Sequence, residues 1–556
     1  MIDILICEGN KEPNREAMNL LFKCILPKLV AASVDNRNAN NLVRASYVTY
    51  SGLLLSKYGK IALPGYSVLL QHLCYNVDGL ERAEVRTARV SLVIGLMSLL
   101  PRKTFQSTVK WLMKLSTTAK IPHRQIALEM LSNLLCNEPD EKTPNEPLPD
   151  KTNDDHGFSN NTQDVDGTAL NSVEETTLEG GPSSEIQPDA MDTEVECNQD
   201  LSAAVNDEHE MTEEDAAGIL CQRPHTVPHP KILRAVYERL NDVSSTLRTR
   251  ALAILTDSVA SERLPMKEAI KELNGDGEVS RLLAVCARCV CDERAAVRRA
   301  SVSLLHRLLL CAPASPSAND LGILVGLCRD ASILVRSSAI SALGELLINL
   351  PCESIFDAFL SGPMHQLSDP ETKVQEQVVN LIKQILFDRL DKFDGEVVNS
   401  LPWQFLAAVT RHNMRRHLQK ACTLLVKSGN CINHRLVDIV STHLIGVSDV
   451  RDLQCLVLLT SVARHVDYTD IAFVLDYYYK LSEGNKKSDD RLMPLTLELL
   501  SLWSRFTNID ARSALRDHLV KKMAAADDDG CRIASATLAA QLDPSNLQWA
   551  TELMQL

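Results

Sequence analysis

One repeated pattern limits what this chain can fold into more than any other feature. Residues 330–347, DASILVRSSAISALGELL, set an aspartate five positions ahead of a Val-Arg pair. Val335, Ala339, Ile340, Leu343, Leu346 and Leu347 then recur at spacings of three and four, which lines one face of an α-helix. The arrangement returns elsewhere. Asp292 leads to Val297-Arg298, Asp369 to Val374-Gln375 and Asp242 to Leu247-Arg248, each followed by the same apolar register. Val85-Arg86 and His123-Arg124 carry the pair without the aspartate, and Val43-Arg44 and Met414-Arg415 are weaker members. From Val43 to Val85 is 42 residues and on to His123 another 38; after a gap, the steps from Leu247 are 50, 38, 39 and 40.

A period near 40 with two helices per unit predicts an all-α chain, an α-α superhelix of the HEAT or armadillo solenoid type. The partner helix is visible ahead of the Val-Arg helix, as in NDLGILVGLC (319–328), where Asn319 or Asp320 is placed to cap it. One such hairpin cannot bury its apolar face alone, so neighbours must stack. Aromatic residues are only 4% of a chain that is 45% hydrophobic, which suits helices packed through aliphatic side chains. At 556 residues the chain exceeds one compact domain, as a repeat array does. Asp242 with Arg248, Asp292 with Arg298, and Asp330 with Arg336 recur at one pitch. They are expected to form a structural row of opposite charges along the stack, satisfying turn amides and holding the repeats at their spacing.

Residues 138–217 break the pattern. Between Glu138 and Asp215 stand 24 acidic residues against two basic ones, Lys142 and Lys151, a net of −22. The whole chain carries −14, so the remainder is near +8. The segment is poor in large apolar residues and is expected to be disordered. The resulting division is a solenoid over 1–137, an acidic insert over 138–217, a central solenoid over 218–400 and degenerate helical repeats over 401–556. The insert holds acid-directed acceptors at Ser172, Thr193 and Thr212, and Thr143-Pro144 and Ser315-Pro316 are minimal proline-directed sites. A tethered segment this acidic, beside a mildly basic body, can compete for whatever the body's cations bind.

No catalytic constellation appears. The chain has no Gly-rich loop ending in Lys-Ser/Thr, no GxGxxG, no GxSxG and no HExxH. HEMTE (209–213) lacks the second histidine of a zinc helix. In CARCVC, Cys286 and Cys289 share a helical face and Cys291 diverges; no second pair lies nearby, so the cluster reads as buried thiols. Sixteen cysteines without pairing rhythm suit a reducing compartment. The start, MIDILICEGNKEP, has no basic n-region, and the longest apolar run, VSLVIGLMSLL (90–100), is too short to span a bilayer. No catalytic, cofactor or metal residue is therefore assigned. Arg86, Arg124, Arg248, Arg298 and Arg336 occupy the repeat's own arginine position. Outside it stand Arg82, Arg89 and Lys120, and with them Arg102, Lys103, Lys110, Lys114, Arg294, Arg299, Arg411, Arg415 and Arg416; clustered near helix ends and turns, all twelve are expected as surface cations that a curved solenoid could present as a stripe. The last nine are candidates for contacting a phosphate backbone without reading sequence, the alternative being an ordinary solvated face.

The repeats also carry a likeness. Residues 68–135, and WLMKLSTTAKIPHR (111–124) within them, resemble the HEAT-repeat D-type subunit of condensin II. KILRAVYERLNDVSSTLRTRALAIL (231–255), CRDASILVRSSAISALGELL (328–347) and VQEQVVNLIKQIL (374–386) continue the likeness in order. The resemblance implies a non-enzymatic scaffold that grips the kleisin subunit and helps hold double-stranded DNA. The ATPase then belongs to partner SMC subunits, and the work is mitotic chromosome condensation on chromosomes in the nucleus. It implies no cofactor, no small-molecule substrate and no membrane. Members of that family extend beyond both ends of this chain, so a fragment, a truncated gene model or a short isoform is expected. The rival scaffolds are a nuclear transport receptor, which would bind a small GTPase, and a phosphatase regulatory subunit, which would be more regular. A helical-repeat enzyme would need a catalytic module that no stretch resembles.

Overall fold

The computed structural model describes Cys7, residues 13–136 and residues 227–543, apart from the short stretches 33–37, 78, 276–279, 313–315, 396–398, 430, 447–450, 484–488 and 526–528. The acidic insert, HEMTE, the acid-directed acceptors, Thr143 and Ser315 lie outside the described residues. Every secondary-structure element among the described residues is a helix, which places the chain in the all-α solenoid class. The chain divides into two compact units, 1–228 and 229–556.

In the first unit, α1 (Arg15–Ala32) packs on α2 (Asn38–Tyr75), which leaves helical geometry at Gly59. That break turns one long helix into the second member of one hairpin and the first member of the next. α3 (Ala83–Met97) follows, then α4 (Arg102–Leu115) and α5 (Ile121–Cys136), with α3 and α4 both against α5. Leu55, Leu73, Leu96, Leu112 and Leu131 are sealed from solvent. Tyr66, equally buried, donates its hydroxyl to the Leu96 carbonyl at 2.8 Å. Arg89 does not join any surface stripe. It is wholly buried, and its Nη1 donates to the carbonyls of Leu73 and Asn76, both at 3.0 Å, closing the end of α2. Carbonyls at a helix end have no intrahelical donor, and an arginine packed beneath them supplies one.

The second unit begins with α6 (His229–Glu238) and α7 (Ser245–Val259). Between α7 and α10 (Ala295–Cys311) lie two helices, α8 (Leu264–Asn274) and α9 (Arg281–Cys289), where other repeats have one. The extra helix accounts for the 50-residue step. Gly275, at φ 78°, ends α8 in the left-handed region that favours glycine. Then come α11 (Ala318–Leu327) and α12 (Ile333–Asn349), and α13 (Glu353–Ser361) with α14 (Thr372–Ile385). The cap of α11 is Ser317 rather than Asn319 or Asp320. Its Oγ accepts from the Asp320 amide at 3.2 Å and donates to Asp320 Oδ2 at 2.5 Å, so the two residues cap the end reciprocally.

Four further hairpins complete the unit: α15 (Leu401–Arg411) with α16 (Arg415–Ser428), α17 (His434–Gly446) with α18 (Asp452–Val462), α19 (Ala472–Glu483) with α20 (Leu492–Leu502), and α21 (Ile509–Ala525) with α22 (Asp529–Leu542). The second helices form one continuous row, α7–α10–α12–α14–α16–α18–α20–α22, each packed on the next. Within the row, a Cβ on Gly344 of α12 would stand 2.7 Å from the Leu381 side chain of α14, so glycine permits the close approach. All residues of α18 from Cys455 to Val462 are buried around the whole circumference. That helix is roofed on every side, which is why it lacks a polar stripe.

Candidate functional site

The turns of α7, α10, α12 and α14 form a ladder. At each turn an aspartate Oδ1 accepts the backbone N–H two residues on: Asp242 from Ser244 at 2.9 Å, Asp292 from Arg294 at 2.9 Å, Asp330 from Ser332 at 2.8 Å and Asp369 from Glu371 at 2.9 Å. The arginine one helical turn further on reaches back and forward at once. Arg248 Nη1 donates to the carbonyls of Asp242 and Val243 at 2.8 and 3.1 Å, while its other face grips Asp292 of the next repeat at 2.8 and 3.0 Å. Arg298 likewise holds Asp292 and Glu293 carbonyls at 2.9 and 3.1 Å and Asp330 at 2.8 Å through both nitrogens. Arg336 holds the carbonyls of Asp330 and Ala331 and pairs with Asp369 at 2.8 Å.

Each guanidinium thus locks its own turn and clasps the following one. Its planar fork matches a carboxylate with two parallel bonds, a geometry that a lysine lacks. The rungs are largely shielded, with Arg298 and Asp330 side chains 16% and 9% exposed. Burial works most strongly against charge on Asp292 and Asp330, yet the hydrogen bonds from Arg248 and Arg298, the backbone N–H groups of Arg294 and Ser332 and the nearby guanidinium charges together outweigh it and hold both carboxyls below their usual range. The same bond to Asp330 holds Arg298 above its ordinary value. Gln375 then stands where an arginine would. Its amide still donates to the Asp369 carbonyl at 2.6 Å, but it has no charge to offer forward, and the ladder stops there. In the first unit Arg86 and Arg124 bind their own turns in the same way, at 2.6–2.9 Å. Arg86 meets an acid as well, Glu129 at 3.1 Å, which stands in α5 rather than in a turn.

The nine cation candidates separate by environment. On α4, Arg102, Lys103, Lys110 and Lys114 are all exposed. Lys103, Lys110 and Lys114 lie within about 40° of one another around the helix, and Arg102 stands at the edge of that face. In the second unit Arg294 and Arg299 are exposed at the start of α10, and Arg416 is exposed on α16. Arg411 and Arg415 are engaged within the protein. Arg411 spans Glu353 and Asp357 at 2.6 and 2.8 Å, and Arg415 grips Glu498 at 2.5 and 2.7 Å. The Arg415 brace ties α16 to α20 across the buried α18. Nothing in the one-dimensional sequence marks Glu498, 83 residues away, as its partner.

Two of the three CARCVC thiols are withdrawn from solvent. Cys286 and Cys289 are buried and Cys291 exposed; burial pushes the first two thiols up, away from the nucleophilic thiolate. Cys74 and Cys328 are pushed up to about 12 in the same way. Among the described residues no cluster of three His, Cys, Asp or Glu side chains could hold a metal ion, and no helix is long and apolar enough to cross a membrane. A shallow depression between α12 and α14 is lined by Ser341, Lys373, Glu376, Gln377 and Asn380. Leu381 and Gln384 complete the lining, and Gln377 is held in place there by Ser337 and Ser341.

No protein-family model matches the sequence. Curated relatives do. The chain is 24% identical over 459 residues to the Xenopus laevis condensin-2 complex subunit D3-L, covering 78% of this chain and 28% of that one. It is 24% identical over 467 residues to the mouse condensin-2 complex subunit D3, covering 81% and 28%. To the Arabidopsis thaliana condensin-2 complex subunit CAP-D3 it is 30% identical over 166 residues, 28% of this chain and 12% of that one. Each of the four curated relatives that match is a condensin-2 complex subunit, which bears out the resemblance read from the repeats. The chain spans just over a quarter of the length of the vertebrate relatives. Similar solved structures include the C-terminal fragment of the Chaetomium thermophilum cohesin loader SCC2, with a TM-score of 0.44 and 14% identity over 99% of this chain and 41% of that one. Kap121p gives 0.34 and 10%, over 97% and 50%.

Proposed function

We propose that this chain, a relative of the condensin-2 D3 subunits, is a non-catalytic scaffold segment of a condensin II complex. The observation that carries the proposal is the extent of the relationship, about four-fifths of the chain, in a molecule whose conspicuous chemistry is the fastening of one repeat to the next. Side chains of the ladder are spent on spacing, not on a substrate. In this reading the chain holds a segment of the kleisin subunit and, through it, stands beside the SMC ATPases on chromosomes in the mitotic nucleus. Double-stranded DNA is the second partner. Its phosphates would meet the exposed cations of α4 and the start of α10, through contacts that are blind to sequence and weaken as salt rises. Arg411 and Arg415, already neutralised by acids, would contribute little.

Affinity capture of the tagged chain from mitotic nuclear extract, read by mass spectrometry, tests the proposal. Recovery of a kleisin with two SMC ATPases is expected. Recovery of a small GTPase or a phosphatase catalytic subunit in their place would overturn it and favour another scaffold of the same architecture.

A further inference from the structure

We infer that the lysine face of α4 is a docking surface for this chain's own acidic run, residues 138–215. The face is one-signed. α4 reads RKTFQSTVKWLMKL and contains no acid, while Lys103, Lys110 and Lys114 project from one side of it and Arg102 from the edge. Lys120, in the turn that follows, is exposed as well. Among the described residues no acidic side chain pairs with Arg102, Lys103, Lys110 or Lys120. The nearest acid on the neighbouring helix, Glu129 of α5, is already committed to Arg86 at 3.1 Å.

The connectivity delivers the occupant. Five residues join α4 to α5, and the two helices pack on each other as a hairpin. His123 at the start of α5 and Trp111 near the end of α4 both lie against Tyr75, at ring-centroid distances of 4.9 and 5.9 Å, which sets the start of one helix beside the end of the other. With 14 and 16 residues, the helices are about 21 and 24 Å long. Cys136, the last residue of α5, therefore returns to the level of Arg102 and Lys103. From that point the sequence runs into Glu138, Asp140, Glu141 and Glu146, and on to a total of 24 acids against two lysines by Asp215. A charge of about −22 starts within a few residues of a helix face whose charges are all basic. Tethering makes the encounter intramolecular, so that even weak pairing competes with a free polyanion. Because the partners are solvent-exposed charges, the interaction should fade as the screening length falls from about 10 Å at 0.1 M salt to about 3 Å at 1 M.

Regulation of duplex binding at α4 rests on the function proposed above; the docking itself does not. The test uses the full chain with the 24 acids of 138–215 replaced by Asn and Gln, and a fluorescent peptide spanning 138–217 as the probe. The peptide should bind this neutralised chain at low salt, and the additional substitutions K103E/K110E/K114E should weaken it by about tenfold or more. Equal binding to both chains, or none to either, overturns the docking. Duplex DNA is then titrated against the native and the neutralised chain. Tighter duplex binding by the neutralised chain at 50 mM salt, shrinking towards no difference at 300 mM, is the expected sign of competition. Peptide docking without any change in duplex affinity keeps the intramolecular contact and removes α4 from the DNA-binding reading.

Discussion

From α7 to α14, neighbouring repeats meet through an arginine and an aspartate at every turn; from α16 to α20 they meet around a helix sunk almost whole in the core. In the first region each joint is local and nearly identical, because Arg248, Arg298 and Arg336 repeat one geometry. In the second the joint is unique. α18 is buried over its last eight residues, and Arg415 and Glu498 meet across it. The contrast teaches how a solenoid can keep its spacing in two ways. A ladder tolerates variation of the core beneath it, since the charged rung specifies the register. An enclosed helix depends on apolar fit on all sides and leaves no repeated mark.

Acid should separate the two regions most strongly. Asp292 and Asp330 have carboxyls held below their ordinary value by Arg248 and Arg298, so the folded state binds their protons less readily than the unfolded chain does. Their contribution is complete above the unfolded value of about 4 and is lost as pH falls through the lower folded value. Hydrogen exchange at descending pH should therefore show α7–α12 losing protection below about pH 4 before α18 does. Simultaneous loss would mean that the rungs add nothing specific.

Removing a single rung comes next in size. Arg298→Ala strips the partner from a shielded Asp330 and leaves the Asp292 and Glu293 carbonyls to water, a loss of about 3 kcal/mol in the local stability of α10 and α12. Urea unfolding followed by exchange at those helices measures it. A smaller cost, about 1 kcal/mol, is expected for Arg415→Ala, since both side chains of that brace are roughly a third exposed and solvent weakens the pair. The exposed Arg411 should matter least. Arg411→Ala is expected to cost about 0.5 kcal/mol or less in the same assay, although the residue contacts two acids.

The ladder region was legible because it repeats. An aspartate five positions before a Val-Arg pair, seen several times at steps of 38–50, yields both the helix and the expectation of a charged row. The α-helical class and the relationship to condensin-2 D3 subunits follow from the same stretches. Arg89 was misread as a surface cation because it sits three residues past Arg86 in a helix of mixed charge; only the fold shows the Leu73 and Asn76 carbonyls waiting above it. The cap of α11 was misplaced by two or three residues, since Ser317, Asn319 and Asp320 are all competent caps and the chain path decides among them. The brace between Arg415 and Glu498 left no local signal at all. For the cation candidates, charge type was readable, but their neutralisation by Glu353, Asp357 and Glu498 is a tertiary fact.

The central claim is that charged rungs couple one repeat to the next, and a double-mutant cycle at Arg298 and Asp330 tests it most directly. Arg298→Ala, Asp330→Ala and the double variant would be compared through exchange protection of α10 and α12. A coupling energy of about 2 kcal/mol is predicted, because each single change leaves a shielded charge without its partner. A coupling below about 0.3 kcal/mol would contradict the account, since the two side chains would then meet without holding the repeats together.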